Sequence, residues 1–428
     1  IYAVNIIKIL LFIFMRQAGC IILTILLIGL VNLNFEAKGN PNILYVGGKG
    51  EGNYTSIQDA INAANNGDII FVFDDSSPYS ENIIIDKSIS LIGENRETTI
   101  IDGNKSGDVV HILSDNVVIS GFTIRNSEEA YEKAGIVIKN ANGVIIENNI
   151  VTENGDQGVR IYSSDDCIIR GNIISNNVYY GIWLYSSRND VIVNNRFYND
   201  GLVLREGSIQ YFIHEIENNT VNDKPLYYFL NEKNLSIPND AGQVIIVNCT
   251  DVRVENLSID GASIAVEIAY SSRVKISNND FSNNNLNGIR LYYSDDNKII
   301  SNKLNGNGWS GLSLWFSSNN MISKNVIDGN EYDSMELLFS SNENFVISNV
   351  ICNSPYGIGL RDTEGNIIRW NNIYNHSEYG LVAESSIVNA RFNYWGSFFG
   401  ILLGDKIAIK NSRVKIFPWL PFPNPFVK

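Results

Sequence analysis

The stretch GIVIKNANGVIIENNIVTENGDQ at residues 135–157 is followed directly by GVRIYSSDDCIIRGNIISNNVYY at residues 158–180. Both segments begin with glycine, and Gly181 opens a third after the same interval. Small residues recur at this interval later in the chain, at Ala265, Gly288, Gly311, Ser334, Gly357 and Gly380. A fixed period of this size indicates a repeat architecture, in which each unit buries its apolar face by stacking on its neighbours.

Each repeat contains three short apolar runs. In the repeat that starts at Gly158 they are centred near Ile161, Ile169 and Ile174, and the other copies keep the same spacing. Runs rich in β-branched residues that are separated by Asn, Ser, Asp and Gly predict three strands joined by turns, and none has a helical period. The sequence therefore predicts an all-β protein, a single-stranded right-handed parallel β-helix with 23-residue coils.

Asparagine recurs at one fixed position, in the second half of almost every repeat. In a β-helix these side chains would lie about 4.8 Å apart along the axis and could hydrogen-bond as a ladder. The alternative is that asparagine only tolerates the left-handed turn conformation. The predicted ladder residues are Asn149, Asn172, Asn195, Asn279, Asn302, Asn325 and Asn371, and Ser348 alone departs from the pattern.

The repeats occupy residues 111–396, with an irregular coil and loop at 204–241. Residues 38–110 are predicted to form an N-terminal cap and the first coils. The cap includes an amphipathic capping helix, in which Ser56 and Asp59 resemble a capping box and Gly67 a stop signal. Residues 397–428, rich in Pro and aromatic residues, are predicted to cap the other end, because an open β-helix exposes strand edges.

Residues 1–37 read as a signal peptide, with Met15 and Arg16 before an apolar run and cleavage near Ala37. Residues 1–14 would then lie upstream of the start codon. The alternative is an uncleaved membrane anchor, which would be the protein's sole contact with a membrane. We therefore expect a secreted, cell-surface or periplasmic protein, and its N-x-S/T sequons fit a glycoprotein.

The net charge of −14 argues against a nucleic-acid partner, since phosphates demand a basic surface. Cys167, Cys249 and Cys352 lie on distant coils at different repeat positions. We therefore expect buried thiols and no disulfide. Asp165-Asp166 and Asp295-Asp296 are interpreted as turn residues, with local calcium binding as the alternative; no other cofactor is expected.

The first strand of each repeat presents aromatic and arginine side chains at its outward positions. Aromatic rings at this spacing can stack on sugar rings, and Arg can hold carboxylates bidentately. Packing of the aromatics against one another is the alternative. The candidate ligand-binding residues are Arg160, Tyr162, Trp183, Tyr185, Arg290, Tyr292 and Trp315.

Carboxylates on this face suggest a catalytic alternative. Glycoside hydrolysis requires two carboxyl groups about 5–9.5 Å apart. Glu336 and Asp362 on adjacent coils are the best candidate pair, with Arg361 placed to hold a uronate. Glu267 is more simply explained as an exposed ion-pair partner of Arg290.

The chain resembles the right-handed β-helix proteins of the pectate-lyase-like superfamily, specifically the NosD-like secreted repeat proteins. The segments that carry this resemblance include Ser56-Ile-Gln-Asp-Ala-Ile61, Asn116-Val-Val-Ile-Ser-Gly-Phe-Thr-Ile124, Asp223-Lys-Pro-Leu-Tyr-Tyr228 and Asn393-Tyr-Trp-Gly396. The resemblance implies a role in delivering copper to nitrous oxide reductase. Copper sites need clustered His, Met or Cys, whereas His111, His214 and His376 are far apart in the chain.

Sugar-active members of the superfamily use the first-strand face, but their marks are missing from this sequence. It has no Gly-His-Gly of the polygalacturonases, no Asp-Pro-His of the alginate epimerases, and no dense aspartate cluster of the pectate lyases. We therefore predict a protein that binds or organises polysaccharide or a cell-envelope glycan without catalysis. The alternatives are a polysaccharide lyase or glycoside hydrolase on the same face, and a NosD-type accessory protein for copper-centre maturation.

Overall fold

The computed structural model describes residues 41–205 and 207–427; the predicted signal peptide or anchor lies outside them. The predicted capping helix is present at Ile57–Ala63. Its N-cap Ser56 accepts a hydrogen bond from the Asp59 N–H at 3.2 Å. The Glu81 carboxylate accepts two more from the first helical N–H groups, so donors that a helix leaves unpaired are satisfied from the next coil. Short 3₁₀ helices occur at Ile209–Phe212 and Gly400–Leu402.

Residues 43–221 form what we call the N-terminal stack. Its six-stranded first-strand sheet consists of Ile83–Ile85, Val110–Ile112, Ala134–Lys139, Gln157–Tyr162, Tyr180–Tyr185 and Leu202–Arg205. An eight-stranded sheet follows with Ile43–Val46, Ile69–Val72, Ser90–Gly93, Val118–Ser120, Ile145–Glu147, Ile168–Arg170, Val191–Val193 and Glu215–Glu217. The third side consists of Tyr79–Ser80, Ile100–Asp102, Thr123–Arg125, Ile150–Thr152, Ile173–Ser175, Arg196–Tyr198 and Thr220–Val221.

Residues 224–415 form the C-terminal stack. Its first-strand sheet consists of Lys224–Leu230, Gln243–Val247, Ile264–Ala269, Asn287–Tyr292, Ser310–Trp315, Asp333–Leu338, Tyr356–Arg361, Tyr379–Glu384 and Ile407–Lys410. The second side consists of Arg253–Glu255, Lys275–Ser277, Lys298–Ile300, Met321–Ser323, Phe345–Ile347, Glu364–Arg369, Ile387–Asn389 and Arg413–Lys415. A three-stranded sheet of Val326–Asp328, Val350–Cys352 and Asn372–Tyr374 forms the third side.

Strands one period apart in sequence are parallel neighbours. Arg160 is in register with Trp183, and Ile161 with Leu184, each one full repeat further on. The fold is thus a right-handed parallel β-helix, which confirms the predicted architecture. Ile161 and Leu184 point into a core that runs along both stacks. The side chains that alternate with them point outward, as the period of a strand requires.

The predicted asparagine positions lie on top of one another. The Asn172 side chain donates to Oδ1 of Asn195 at 3.0 Å, and Asn195 donates to Asn219 at the same distance. In the C-terminal stack, the Asn325 side chain donates to Oδ1 of Asn349 at 3.0 Å. Asn349 therefore takes the place at which the strict period put Ser348. Phe339 and Ser340 both have positive φ, so an extra residue in that turn shifts the register by one.

The two stacks join through an antiparallel hairpin. Val221 lies opposite Lys224, and the Asn222-Asp223 turn between them has positive φ at both residues. Directly paired residues project from the same face of a sheet. Lys224 therefore lies on the face that Val221 turns toward the core of the N-terminal stack, but Lys224 itself is exposed. Phe229, an odd number of residues later, projects from the other face and is in register with Ile246 in the second core. The core therefore passes from one face of this 16-stranded sheet to the other.

Because the core changes face, the outward sides of the two first-strand sheets meet. The Leu204 N–H donates to Oε2 of Glu267 at 3.3 Å, and the Asn285 side chain donates to the Asn199 carbonyl at 2.7 Å. The irregular coil predicted within 204–241 lies at this junction. It holds the hairpin and the 3₁₀ turn Ile209–Phe212, which covers part of the C-terminal stack.

The predicted C-terminal cap at 397–428 is partly a further coil. Ile407–Lys410 and Arg413–Lys415 extend two sheets, and Ile416 and Trp419 pack on the core. Other apolar side chains in this segment project into solvent instead of covering the last coil. No helix within residues 41–205 or 207–427 is long and apolar enough to cross a membrane.

Candidate functional site

A cleft of about 790 Å³ opens on the outward side of the N-terminal first-strand sheet. Four of the predicted binding residues line it, and successive strands supply them one coil apart. The residues at the cleft include Asp108, His111, Tyr131, Glu132, Lys133, Lys139, Arg160, Tyr162, Trp183, Tyr185 and Arg205. Hereafter we call this group the basic cleft.

Aromatic rings form the floor of the basic cleft. Tyr162 and Tyr185, both half-buried, stack with ring centroids 5.3 Å apart and planes within 11° of parallel. Trp183 meets Tyr185 edge-on at 5.4 Å and stacks on Tyr180 at 5.1 Å. Trp183 is only 2% exposed, so its predicted role as an open stacking surface is wrong. It supports the tyrosines from below.

Positive charge outweighs negative charge in the basic cleft. Asp108 lies 3.9 Å from the Lys133 amine, and Glu132 pairs with Arg160 at 3.2 Å. Lys139 and Arg205 also line the cleft, so four basic side chains face two acidic ones. In a chain of net charge −14 this is a local reversal of sign.

Three polar atoms beneath the basic cleft are buried without a hydrogen-bond partner among the described residues. They are Nε2 of His111, Nε of Arg160 and Nε1 of Trp183. Burial is the largest cause that lowers the pKa of His111, against the opposing charge of Asp108. Buried polar groups are nearly always paired in proteins, so these three atoms are exceptions to that rule at the base of the cleft.

Arg205 is a cleft residue that the sequence analysis missed. It stands in register with Tyr185. Its guanidinium lies 5.8 Å from the Trp183 ring and 4.5 Å from the Trp315 ring, so it bridges the two stacks. The segment Gly201-Leu-Val-Leu-Arg205 repeats the first-strand pattern, but it begins earlier after Gly181 than the regular period allows. A search that allowed a short repeat would have found it.

The predicted stripe does not continue openly into the C-terminal stack. Arg290 and Tyr292 are 6% and 7% exposed, because the irregular coil covers them. Phe212 packs on the Tyr292 ring at 5.5 Å, and Arg290 donates to the Leu204 carbonyl at 3.1 Å. The Arg290–Glu267 pair, at 2.6 Å, is therefore a buried ion pair and not an exposed one. Trp315 remains half-buried, and its indole N–H donates to Ser313 at 2.8 Å.

The predicted carboxylate pair is not formed. Glu336 is in register with Gly359, three residues before Asp362, and Asp362 stands in a turn with φ of 53°. Arg361 pairs with Glu384 at 3.3 Å instead. The acidic neighbour of Glu336 is Asp333 on its own strand. The repeat pattern does not indicate it, because Asp333 precedes the first position of its repeat.

Asp333 and Glu336 place two interacting carboxyl groups on one strand. Burial is the largest cause that raises the pKa of Asp333 to about 8, followed by the charge of Glu336 and the hydrogen bond between them. The Glu336 carboxylate also accepts hydrogen bonds from Ser313 at 2.9 Å and from Ser310 at 3.2 Å. Trp309 and Tyr332 stack beside the pair with ring centroids 4.5 Å apart. This arrangement holds a proton at neutral pH.

Metal-ligating side chains are not gathered in the described part of the chain. It contains no group of three or more His, Cys, Asp or Glu residues placed to hold a metal ion. His214 Nδ1 lies 3.3 Å from the Asp190 carboxylate inside the N-terminal stack, whereas His376 pairs with Asp405 near the far end. Asp165, a candidate for calcium, accepts a hydrogen bond from Arg188 at 2.7 Å. These residues do not fit a copper centre.

Comparisons with known proteins agree with the fold. Residues 242–394 match the family model described as right handed beta helix region, in agreement with the fold. Residues 49–237 match the model described as periplasmic copper-binding protein (NosD), so this part of the chain is NosD-like. No curated protein sequence matches the chain.

Several solved structures are similar to the chain at low identity. The A-module of mannuronan C-5 epimerase AlgE6 from Azotobacter vinelandii is 13% identical, with a TM-score of 0.34 over 83% of this chain and 93% of that one. The GH87 α-1,3-glucanase of Streptomyces thermodiastaticus is 12% identical, with a TM-score of 0.31 over 85% and 65% of the two chains. Pectin methylesterase PemA from Erwinia chrysanthemi is 10% identical, with a TM-score of 0.30 over 66% and 90%.

Proposed function

We propose that this protein binds an anionic polysaccharide, without catalysis, in the basic cleft. The observation that carries the proposal is the combination of stacked Tyr162 and Tyr185 with an excess of basic side chains in one cleft. Sugar rings present apolar C–H faces that pack on aromatic rings, and uronate carboxylates are matched by guanidinium groups. The chain as a whole carries a net charge of −14, so its average field repels such a ligand and the basic cleft is a local exception.

Arg205 is placed to select for the charge of the ligand. Its guanidinium lies near two indole rings, those of Trp183 and Trp315. Stacking on an indole restricts the orientation of the guanidinium plane and leaves the N–H groups at the edge of that plane free to bind a carboxylate. Arg160 has a carboxylate partner of its own in Glu132. We therefore expect Arg205 and Lys139 to contribute most of the attraction for uronate groups.

Binding to a panel of polysaccharides tests this function. In affinity electrophoresis, alginate and polygalacturonate should retard the protein, and a neutral β-glucan should not. Arg205→Gln and the double substitution Tyr162→Ala/Tyr185→Ala should each weaken binding about tenfold or more. Phe345→Ala removes an exposed ring on the other stack, outside both candidate sites, and is the matched control. Equal retardation by neutral and anionic polymers, or unchanged binding by both cleft variants, would refute the proposal.

The Asp333–Glu336 pair favours a second candidate, an enzyme that acts on the same polysaccharide. Burial and the charge of Glu336 raise the pKa of Asp333, so the pair would supply a general acid. Product analysis with the same polymers decides between the candidates. Turnover by the parent protein that disappears in Glu336→Gln would establish the enzyme. If the parent protein shows no turnover, the result favours binding without catalysis.

A further inference from the structure

The C-terminal end of the β-helix carries a cluster of projecting apolar side chains. Phe398, Phe399, Leu402, Leu403, Phe417, Phe422 and Phe426 are each between 53% and 86% exposed. Soluble proteins rarely leave so many large apolar side chains together in water unless they contact something. We call these seven residues the apolar tip.

The apolar tip is held as a surface and is not a loose tail. The ring centroids of Phe398 and Phe422 lie 5.6 Å apart. Behind the tip, Trp419 packs so closely on Gly400 that an added Cβ would meet its indole at 2.4 Å. The Leu420 N–H donates to the Asn393 carbonyl at 2.9 Å, which ties the segment to the last coil. The side chains therefore project because the backbone beneath them is fixed.

The segment that carries the apolar tip is rich in basic residues, of which Lys410 pairs with Glu384. Residues 397–427 contain Lys406, Lys410, Arg413 and Lys415 but only one acidic residue, Asp405. All four basic side chains are exposed, and Asp405 is buried beside His376. Lysines on edge strands are often a defence against edge-to-edge pairing, but that explains none of the apolar side chains. A basic, apolar end on an acidic protein complements an anionic surface with an apolar interior.

We propose that the apolar tip docks the end of the β-helix onto the surface of an anionic lipid bilayer. Phenylalanine and leucine side chains would enter the boundary between headgroups and acyl chains, and the Lys and Arg of the same segment would contact lipid phosphates. A symmetric pair of copies fits less well, since it would place the two basic surfaces against each other. The inference is independent of the polysaccharide function and of the N-terminal apolar segment.

Photocrosslinking to vesicles tests this docking in the full chain. Vesicles of phosphatidylcholine and phosphatidylglycerol in a two-to-one ratio, with a trace of photoactivatable lipid, are mixed with the protein, and crosslinked peptides are mapped by mass spectrometry. Mapping separates contact through residues 397–427 from any contact through the N-terminal segment. We expect crosslinks within 397–427 on the mixed vesicles. The number of these crosslinks should be at least fivefold lower on vesicles of phosphatidylcholine alone, and it should decrease similarly on the mixed vesicles at high salt.

Substitution of the two exposed leucines supplies the specific control. Leu402→Ser/Leu403→Ser should reduce crosslinks in 397–427 about tenfold while the circular dichroism and the melting temperature stay unchanged. Ile84→Ser, at an exposed apolar side chain of the N-terminal stack, should have no effect. The proposal is overturned if peptides of 397–427 stay unlabelled on anionic vesicles. It is also overturned if they crosslink to a second copy of the protein and not to lipid.

Discussion

At the residue scale, the interior asparagines show how this chain satisfies polar backbone groups inside an apolar core. Each amide accepts from the N–H of the preceding coil and donates to the next coil, as Asn302 and Asn325 do at 2.9 and 3.0 Å. The sequence predicted one such series. The structure has another through Asn284, Asn307 and Asn330, whose 23-residue spacing was equally visible.

Removal of one rung should destabilise the fold strongly. Asn325→Ala leaves the Asn302 backbone N–H and one N–H of its side-chain amide without an acceptor in a buried place, while the other side-chain N–H still donates to the Ile276 carbonyl. We expect the free energy of unfolding to fall by about 2–4 kcal/mol. Chemical denaturation measures it, with Asn62→Ala on the exposed side of the capping helix as the control. Equal effects of the two substitutions would show that the ladder adds no stability.

The Asp333–Glu336 pair should make stability depend on pH in a defined direction. Asp333 has a pKa of about 8 in the folded state and an ordinary low pKa when unfolded, so the folded state binds more protons between these values. Its contribution to the free energy of unfolding therefore falls as pH rises from about 4 to 8 and is constant above.

Asp333→Asn keeps a hydrogen-bond donor for Glu336 and removes the titration. The stability of this variant relative to the parent protein should rise from pH 4 to pH 8. Denaturant midpoints at pH 4, 6 and 8 give the comparison. A difference that stays the same at all three values would mean that Asp333 is not a proton-holding group.

At the element scale, close approach of consecutive coils explains why glycine recurs once in almost every repeat. A Cβ on Gly357 would lie 2.3 Å from the Gly380 carbonyl oxygen, and one on Gly158 would lie 2.6 Å from the Gly181 carbonyl oxygen. The first strand bends at this point, and the next coil packs on its backbone. The repeat could therefore be predicted well, because each coil imposes the same local requirement on its sequence.

A methyl group at the contact point should displace the neighbouring coil. We expect Gly357→Ala to lower the free energy of unfolding by about 1–3 kcal/mol, because backbone atoms cannot move aside as a flexible side chain can. Gly207→Ala is the control, since an added Cβ there meets nothing within 4 Å. Thermal unfolding of both variants gives the comparison. Similar melting temperatures for the two would contradict the explanation of the period.

At the scale of the whole molecule, the passage of the core through the 16-stranded sheet decides which predicted residues share a site. Repeats look alike on both sides of the junction, so the alternation of apolar residues could not reveal that the second core lies on the other face. The predicted stripe treated Tyr185 and Arg290 as parts of one open surface. The junction instead buries Arg290 and leaves Tyr185 in the basic cleft.

A disulfide between the stacks tests this arrangement. Asn199 and Asn285 are joined by a hydrogen bond of 2.7 Å across the junction, although 86 residues separate them. In a straight stack they would stand about three coils, or roughly 14 Å, apart. Asn199→Cys/Asn285→Cys should therefore form an intramolecular disulfide under mild oxidation, which single substitutions cannot. Free thiols at positions 199 and 285 after oxidation, in a variant that is otherwise folded, would contradict the change of face.

The most direct measurement of the proposed function is a crystal structure of the protein with a uronate oligosaccharide bound. The account predicts sugar rings packed on Tyr162 and Tyr185, with a carboxylate within hydrogen-bond distance of the Arg205 guanidinium. An oligosaccharide bound elsewhere on the molecule, or an empty cleft at saturating ligand concentration, would contradict it.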